Sequence, residues 1–203
     1  MTRIVVFAKA PVAGFAKTRL IPALGAEGAA ALAGRMLHHS LTQALAAGVG
    51  TVELCMSPAP NNAAWQGVML PQAVQCSSQG EGDLGARMSQ AIDRNLALQQ
   101  GPVLVTGTDC PSLTAERIAE ASRQLAQHNA VLIPAADGGY VLIGLQASCP
   151  SLFIDMAWST PAVATETLRR MASLRLRIWQ GPVLHDIDEP ADLAHLPETL
   201  KNH

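Results

Sequence analysis

The stretch Val103-Leu104-Val105-Thr106-Gly107-Thr108-Asp109-Cys110-Pro111 constrains the fold most. A short apolar, β-branched run, bounded by Gly101-Pro102 before it and Thr106-Gly107-Thr108 after it, predicts a buried strand. It ends on Asp109, and Pro111 has no N–H with which to continue a ladder. In open α/β sheets, ligands bind beyond the carboxyl ends of the strands. Asp109 therefore stands where chemistry usually sits. Capping the helix that follows is the plainer role open to the same carboxylate.

The order of elements around this strand points the same way. Arg3-Ile4-Val5-Val6-Phe7-Ala8-Lys9 is a near-continuous apolar run, of the kind parallel sheets bury on both faces. A loop over 10–24 carries Pro11, Gly14, Lys17, Arg19 and Pro22. A long helix over about 27–47 follows, ending at Gly48, and then a strand over 51–56. Strand, loop, helix and strand in this order predict a right-handed crossover unit. Downstream we expect a weaker strand within 68–78, helices over 84–98 and about 115–127, and strands over 130–134 and 140–145 separated by Asp137-Gly138-Gly139. Thr160-Pro161 predicts a helix start, with an N-cap and a proline at the first position. A last strand over 174–179 and a short helix from Pro190 complete the chain. With 203 residues, no repeat and no low-complexity linker, the expectation is one α/β domain over 1–203 with a mixed sheet.

Composition narrows the partners. Fourteen basic residues against 16 acidic ones give a net charge of −2. With no local Lys/Arg cluster, this excludes a nucleic-acid footprint. Cys55, Cys76, Cys110 and Cys149 are widely spaced with no Cys-x-x-Cys pair, which predicts reduced, mostly buried thiols in a cytoplasmic protein. The N-terminal apolar run stops at Lys9, too short for a signal peptide or a membrane span. The Ala-rich segment over 25–48 carries Arg35, His38 and His39, and we expect a soluble helix.

Three local matches fail on chemistry or placement. Gly80-Glu81-Gly82-Asp83-Leu84-Gly85 fits the dinucleotide fingerprint by letter. However, the preceding Val74-Gln75-Cys76-Ser77-Ser78-Gln79 is a poor strand, and Glu81 and Asp83 put negative charge where a pyrophosphate must lie. Ala16-Lys17-Thr18 lacks the glycines of a P-loop, with Ala16 and Pro11 at those positions. Asp186-Ile187-Asp188 lies near the C-terminus, whereas the aspartate nucleophile of phosphatases follows a first strand. A hydrolase built on Cys110 lacks a histidine in a recognisable arrangement.

What survives is a constellation at strand ends. Lys9, Lys17 and Arg19 lie on the first-strand loop, suited to phosphates, although lysine on a surface is most often only solvated. Asp109, Asp186 and Asp188 are hard oxygen donors. Two such carboxylates about 4 Å apart repel by roughly 4 kcal/mol at an effective dielectric near 20. Mg²⁺ or Mn²⁺ would remove that repulsion, while helix capping before Pro190 is the plainer role for Asp186 or Asp188. Asp137-Gly138-Gly139 permits close approach of backbone to a ligand, or forms a simple turn. Trp158 is a stacking platform or a core residue.

Six ordered motifs carry a resemblance. They are Phe7-Ala8-Lys9-Ala10-Pro11-Val12-Ala13-Gly14-Phe15-Ala16-Lys17-Thr18-Arg19-Leu20, Gly82-Asp83-Leu84-Gly85-x-Arg87-Met88, Gly107-Thr108-Asp109-Cys110-Pro111, Asp137-Gly138-Gly139-Tyr140-x-x-x-Gly144, Trp158-Ser159-Thr160-Pro161 and Asp186-Ile187-Asp188-x-Pro190-x-Asp192-Leu193. Together they resemble a bacterial glycosyltransferase-like family, some members of which are linked to arsenosugar biosynthesis. That family is similar to the nucleotide-diphospho-sugar transferases of the GT-A fold. Its nearer relatives include guanylyltransferases acting on phospholactate or phosphoenolpyruvate.

The resemblance implies a single-domain, Rossmann-like GT-A fold, with a mixed, mostly parallel sheet and helices on both faces. It implies a loop from Ala8 through Lys9 and Gly14 that holds nucleotide phosphates, chiefly by Lys17 and Arg19. Gly82, Asp83, Leu84 and Gly85, with Arg87 in the same motif, would line the base pocket. Asp109 would be the metal-binding aspartate, joined by Asp186 and Asp188, and Asp137, Gly138, Gly139 and Trp158 would face the acceptor. The chain departs from its relatives in two places. Ala8-Lys9-Ala10-Pro11 replaces a glycine-rich loop start, and Thr108 and Cys110 flank a lone Asp109 where an Asp-x-Asp is common.

The expectation is thus a cytoplasmic, Mg²⁺- or Mn²⁺-dependent transferase, with Asp109, Lys17 and Arg19 as its catalytic groups. The partners would be a nucleotide or nucleotide-sugar and a small-molecule acceptor, with no nucleic acid or membrane and with homodimerisation left open. Glycosyl transfer leads. Nucleotidyl transfer to a small phosphorylated acceptor, and a non-catalytic nucleotide-binding module, are the alternatives.

Overall fold

In the computed structural model, which describes residues 1–99 and 101–201, every strand joins one sheet. The strands are β1 (Arg3–Lys9), β2 (Val52–Ser57), β3 (Val74–Ser78), β4 (Val103–Thr106), β5 (Ala130–Pro134), β6 (Tyr140–Leu145) and β7 (Ile178–Gln180), in the order β3-β2-β1-β4-β6-β5-β7. Only β6 runs against its neighbours, pairing antiparallel with β4 and β5, so the sheet is mixed but mostly parallel. The helices are α1 (Ile21–Ala46), α2 (Leu84–Gln99), α3 (Ala115–Leu125), α4 (Val163–Ser173) and the short α5 (Glu198–Lys201).

Alternation along the strands explains the layering. Ile4, Val6 and Ala8 of β1 join Leu104, Val131 and Ile133 under α1 and α3, through Leu37, Leu41, Ile118 and Leu125. Val5 points the other way, with Val103, Val105 and Leu132, to meet Met88, Ile92 and Met171 of α2 and α4. Fully burying each such side chain stabilises the fold by about 1.5–3 kcal/mol. A third cluster packs Leu32 and Met36 of α1 on Leu20, Ile187, Leu196 and Leu200, tying the C-terminal segment to the first helix.

Several boundaries differ from the sequence reading. β4 stops at Thr106, three residues before Asp109. The weak strand within 68–78 is confined to β3, a polar edge strand. The first helix begins at Ile21, with Pro22 near its start and a break at Gly25 (φ 71°). Ala162 occupies the N-cap position of α4 with no side-chain cap, and the Thr160 hydroxyl donates to the Ala157 carbonyl instead. The last strand is only Ile178–Gln180, because Arg175 turns left-handed (φ 55°).

The segment 18–46 is long and apolar enough, by length and composition, to cross a membrane. Its Leu32, Met36, Leu37 and Leu41 are instead at most 3% exposed within the domain.

Candidate active site

The direction of strand succession reverses at β1, whose neighbours are β2 on one side and β4 on the other. A crevice at the carboxyl ends of two such strands is where open α/β sheets bind ligands. The loop after β1 and the Gly107–Pro111 loop after β4 both open there. The third contributor arrives from β7. Past Gln180, Gly181 donates to the Leu132 carbonyl, Leu184 to that of Pro134, and Ala136 back to that of Leu184. This ladder carries 186–188 to the same edge, and the Ile187 N–H bonds the Asp109 carbonyl at 2.8 Å.

Asp109, Asp186 and Asp188 therefore converge, although with a different cation between them than the sequence suggested. The Lys17 ammonium forms ion pairs with Asp109 and with Asp188, the latter at 2.9 Å, and donates to the Ile187 carbonyl at 2.6 Å. Its side chain is 7% exposed, against 47% for Asp109 and 37% for Asp188. Burial alone would depress the lysine pKa. The charge of Asp109, then that of Asp188, outweighs it and holds the pKa above the ordinary value.

For Asp186 the charge of Lys17 acts in the same sense, toward the ionised form, but is outweighed. Its Oδ1 is buried without a hydrogen-bond partner, and burial followed by the charges of Asp109, Asp137 and Asp188 pushes its pKa up to about 7. Among the described residues, no three His, Cys, Asp or Glu side chains stand close enough to hold a metal ion as they are. The donor set nonetheless suits Mg²⁺, which binds through one or two carboxylates and keeps waters and substrate phosphates as its other ligands. The orphaned Asp186 oxygen is the atom that such an ion would satisfy.

The remaining predicted residues take distinct places. Arg19 is on the surface, 3.5 Å from Glu189. Lys9 and Asp137 are exposed at the carboxyl ends of β1 and β5, and Asp137 Oδ1 accepts from Gly139 N in a tight turn. Gly138 sits at φ 89°, and a Cβ there would collide with the Pro161 backbone, so glycine is required by both conformation and space. Asp83 caps α2 by accepting from Ala86 N, beside a partly exposed Leu84. Gly85 lies against Phe153 and Trp158. Arg87 reaches back to the Asp83 carbonyl and the Gln79 side chain, bracing this loop. Trp158 packs edge-on against Tyr140 at 6.5 Å, with its indole N–H buried and unpaired. Cys110 is buried within 3.3 Å of the Ser112 hydroxyl, and burial pushes its thiol pKa up, which disfavours a nucleophile.

Two residues escaped the sequence reading. Gln79 is 6% exposed and donates to the carbonyls of Ala8 and Cys55, pinning the ends of β1 and β2. Asp192 accepts from the N–H groups of Asp188 and Glu189 and so fixes the acidic segment. Asp192 stood within the quoted Pro190-x-Asp192 motif. For Gln79, the only signal was a polar residue between a strand and Gly80.

Comparison with known proteins agrees with the fold. A family described as "Uncharacterized protein conserved in bacteria (DUF2064)" matches residues 40–160. The chain belongs to this family. No curated protein matches it. Among solved structures, this chain shares 30% identity with a candidate nucleotide-diphospho-sugar transferase from Desulfovibrio desulfuricans G20, over 99% of this chain and 88% of that one, with a TM-score of 0.90. A CMP:2-keto-3-deoxy-manno-octonic acid synthetase complexed with CTP is 12% identical over 96% and 95% of the two chains (TM-score 0.59). Rv0371C of Mycobacterium tuberculosis H37Rv, complexed with manganese, is 14% identical over 98% of each chain (TM-score 0.59). At such identities the likeness is one of fold. The α/β architecture of this chain thus matches that of nucleotide-diphospho-sugar transferase-like structures.

Proposed function

We propose that this DUF2064 protein is a cytoplasmic, Mg²⁺- or Mn²⁺-dependent transferase that takes a nucleotide or nucleotide-sugar as donor. The observation that carries this reading is the meeting of Asp109, Asp186 and Asp188 with Lys17 at the reversal of strand order, with one buried carboxylate oxygen unsatisfied. The cation would neutralise charge developing on the leaving diphosphate. Lys17 and Arg19 would hold the phosphates, and the 82–85 loop, braced by Arg87, would line the base pocket. Asp137, Gly138, Gly139 and Trp158 would border the acceptor.

Glycosyl transfer attacks a sugar carbon, and nucleotidyl transfer attacks an α-phosphorus. Exposed Lys9, available to an acceptor phosphate at the end of β1, favours keeping the second reading beside the first. The arsenosugar-linked chemistry implied by the resemblance belongs to the glycosyl branch. The non-catalytic alternative draws on a different fact, namely that the Lys17 ammonium is fully engaged by protein acceptors.

The test is a thermal-shift panel of nucleotides and nucleotide-sugars, with and without Mg²⁺. A ligand at a hundredfold its Kd stabilises by about 2.7 kcal/mol, which is roughly 5–10 °C for a chain of this size. Asp109→Ala is expected to lose the Mg²⁺-dependent part. An equal response from wild type and variant would remove the metal role. Mass spectrometry of products then separates glycosyl transfer, nucleotidyl transfer and binding without turnover.

A further inference from the structure

We propose that Lys17 is an internal stand-in for the divalent cation, holding Asp109 and Asp188 in the metal-free protein and releasing them when the ion arrives, so that its ammonium turns to the nucleotide phosphates. The inference rests on the metal-dependent reading above and deepens it. Its first support is valence. An ammonium has three N–H donors, and Lys17 has three acceptors: Asp109 Oδ1, Asp188 Oδ1 and the Ile187 carbonyl. A phosphate oxygen can gain a bond from Lys17 only when one of these is given up.

The second support is charge. Asp109 and Asp188, the two carboxylates that Lys17 holds, carry two negative charges, of which one ammonium neutralises one and a divalent cation both. At equal distance such an ion attracts each carboxylate twice as strongly as an ammonium does. It also offers a partner to Asp186 Oδ1, which Lys17 leaves bare. The third support is the loop itself. Its ends are fixed, by the Ala10 N–H on the Ser57 carbonyl and by the fully buried Leu20. Between them Gly14 turns at φ 75° with open space around it, and Lys17 lies in the left-handed region at φ 50°. Release needs only rotation of the lysine side chain. At the two carboxylates the exchange is one cation for another.

Two measurements test this. The first is acetylation of the wild-type protein by an N-hydroxysuccinimide ester, read by peptide mass spectrometry with exposed Lys9 as the internal reference. Metal-free protein should label at Lys17 roughly tenfold more slowly than at Lys9, because three bonds and burial hold the amine. Saturating Mg²⁺ should speed labelling at Lys17 and leave Lys9 unchanged, and adding CTP or GTP with Mg²⁺ should restore protection for whichever nucleotide binds. The second is Mn²⁺ binding without nucleotide, followed by electron paramagnetic resonance. Lys17→Met should tighten it by roughly tenfold, and Arg19→Met, which removes a cation of the same loop, by less than about twofold. Mn²⁺ bound to wild type while Lys17 stays protected, or equal Mn²⁺ affinity in wild type and Lys17→Met, would overturn the exchange and leave the metal-dependent reading standing. No Mn²⁺ binding to wild type, with or without nucleotide, would overturn both.

Discussion

Two charge clusters lie on the same sheet, and they are built on opposite principles. At the amino-terminal half of β1 and β2, Glu53 is 2% exposed and both of its oxygens are used. Oε2 accepts from Arg3 at 3.1 Å, and Oε1 accepts from Ser77 and Arg94. Two guanidinium groups meet one carboxylate. At the carboxyl edge, one ammonium pairs with two carboxylates, Asp109 and Asp188, and an oxygen of the neighbouring Asp186 has no donor. The first cluster pairs both oxygens of its carboxylate, and the atom it leaves without a partner is a donor, Arg3 Nε, which a cation cannot satisfy. The second is short of positive charge, which is what a site awaiting a cation requires. Being charged and buried therefore does not mark a cation site; a buried carboxylate oxygen left without a donor does.

The strongest way to break this comparison is to open the closed cluster. Glu53→Ala strands Arg3, 7% exposed, while Arg94, 37% exposed, can turn to water. Removing one partner of a buried pair typically costs about 3–5 kcal/mol, and a loss at the lower end is expected because Arg94 escapes. Urea unfolding should show the midpoint falling at unchanged slope. Mg²⁺ and nucleotide should stabilise wild type and variant equally and leave the difference between them unchanged. A loss below about 1 kcal/mol would mean that the pair is already hydrated.

The pH dependence of the two clusters should have opposite sign. Burial raises the Glu53 pKa, but the Ser77 hydroxyl and then Arg94 outweigh it and leave the folded value below 4.5. Its stabilisation is present above that pH and fades as pH falls through the folded value. Asp186 is raised from 3.8 to about 7, so the folded protein binds its proton more tightly than the unfolded chain does. Stability contributed there declines as pH rises from about 4 to about 7, and is flat above. Asp186→Asn should therefore stabilise the metal-free protein by about 1–2 kcal/mol at pH 8, less than the full linkage value because solvent reaches the cluster. That gain should shrink toward zero near pH 4. Paired urea titrations across this window check the slope, and the same variant should lose the stabilisation that Mg²⁺ gives wild type.

How far the sequence led follows from the same physics. Arg3–Lys9 and the β5 and β6 runs were legible to the residue, since apolar strands between turn residues have few other readings. β3 was blurred because a polar edge strand carries no hydrophobic period. Asp186 and Asp188, two apart on an extended segment, could be expected on one side with Ile187 opposite, and Ile187 is fully buried. Their convergence with Asp109 depends on the ladder from β7 to Leu184, made of backbone bonds that leave no mark on side-chain pattern. The engagement of Lys17 was hidden for a related reason. Pattern shows that a loop is basic, but only coordinates show which oxygens its cations already hold.

Arg19 offers the mildest perturbation and separates charge from engagement. It shares a loop with Lys17, yet its guanidinium is 62% exposed and its partner Glu189 is 57% exposed at 3.5 Å. An exposed pair of this kind contributes about 0–1 kcal/mol, so Arg19→Met should shift the ligand-free unfolding midpoint by less than its error. If phosphates do settle on this loop, the same variant should lose part of the nucleotide-induced rise in midpoint, because a bidentate donor has been removed. A variant that keeps the whole rise would confine phosphate binding to Lys17. One that loses stability without ligand would show the surface pair to be part of the fold, and would blur the line between closed and open clusters drawn above.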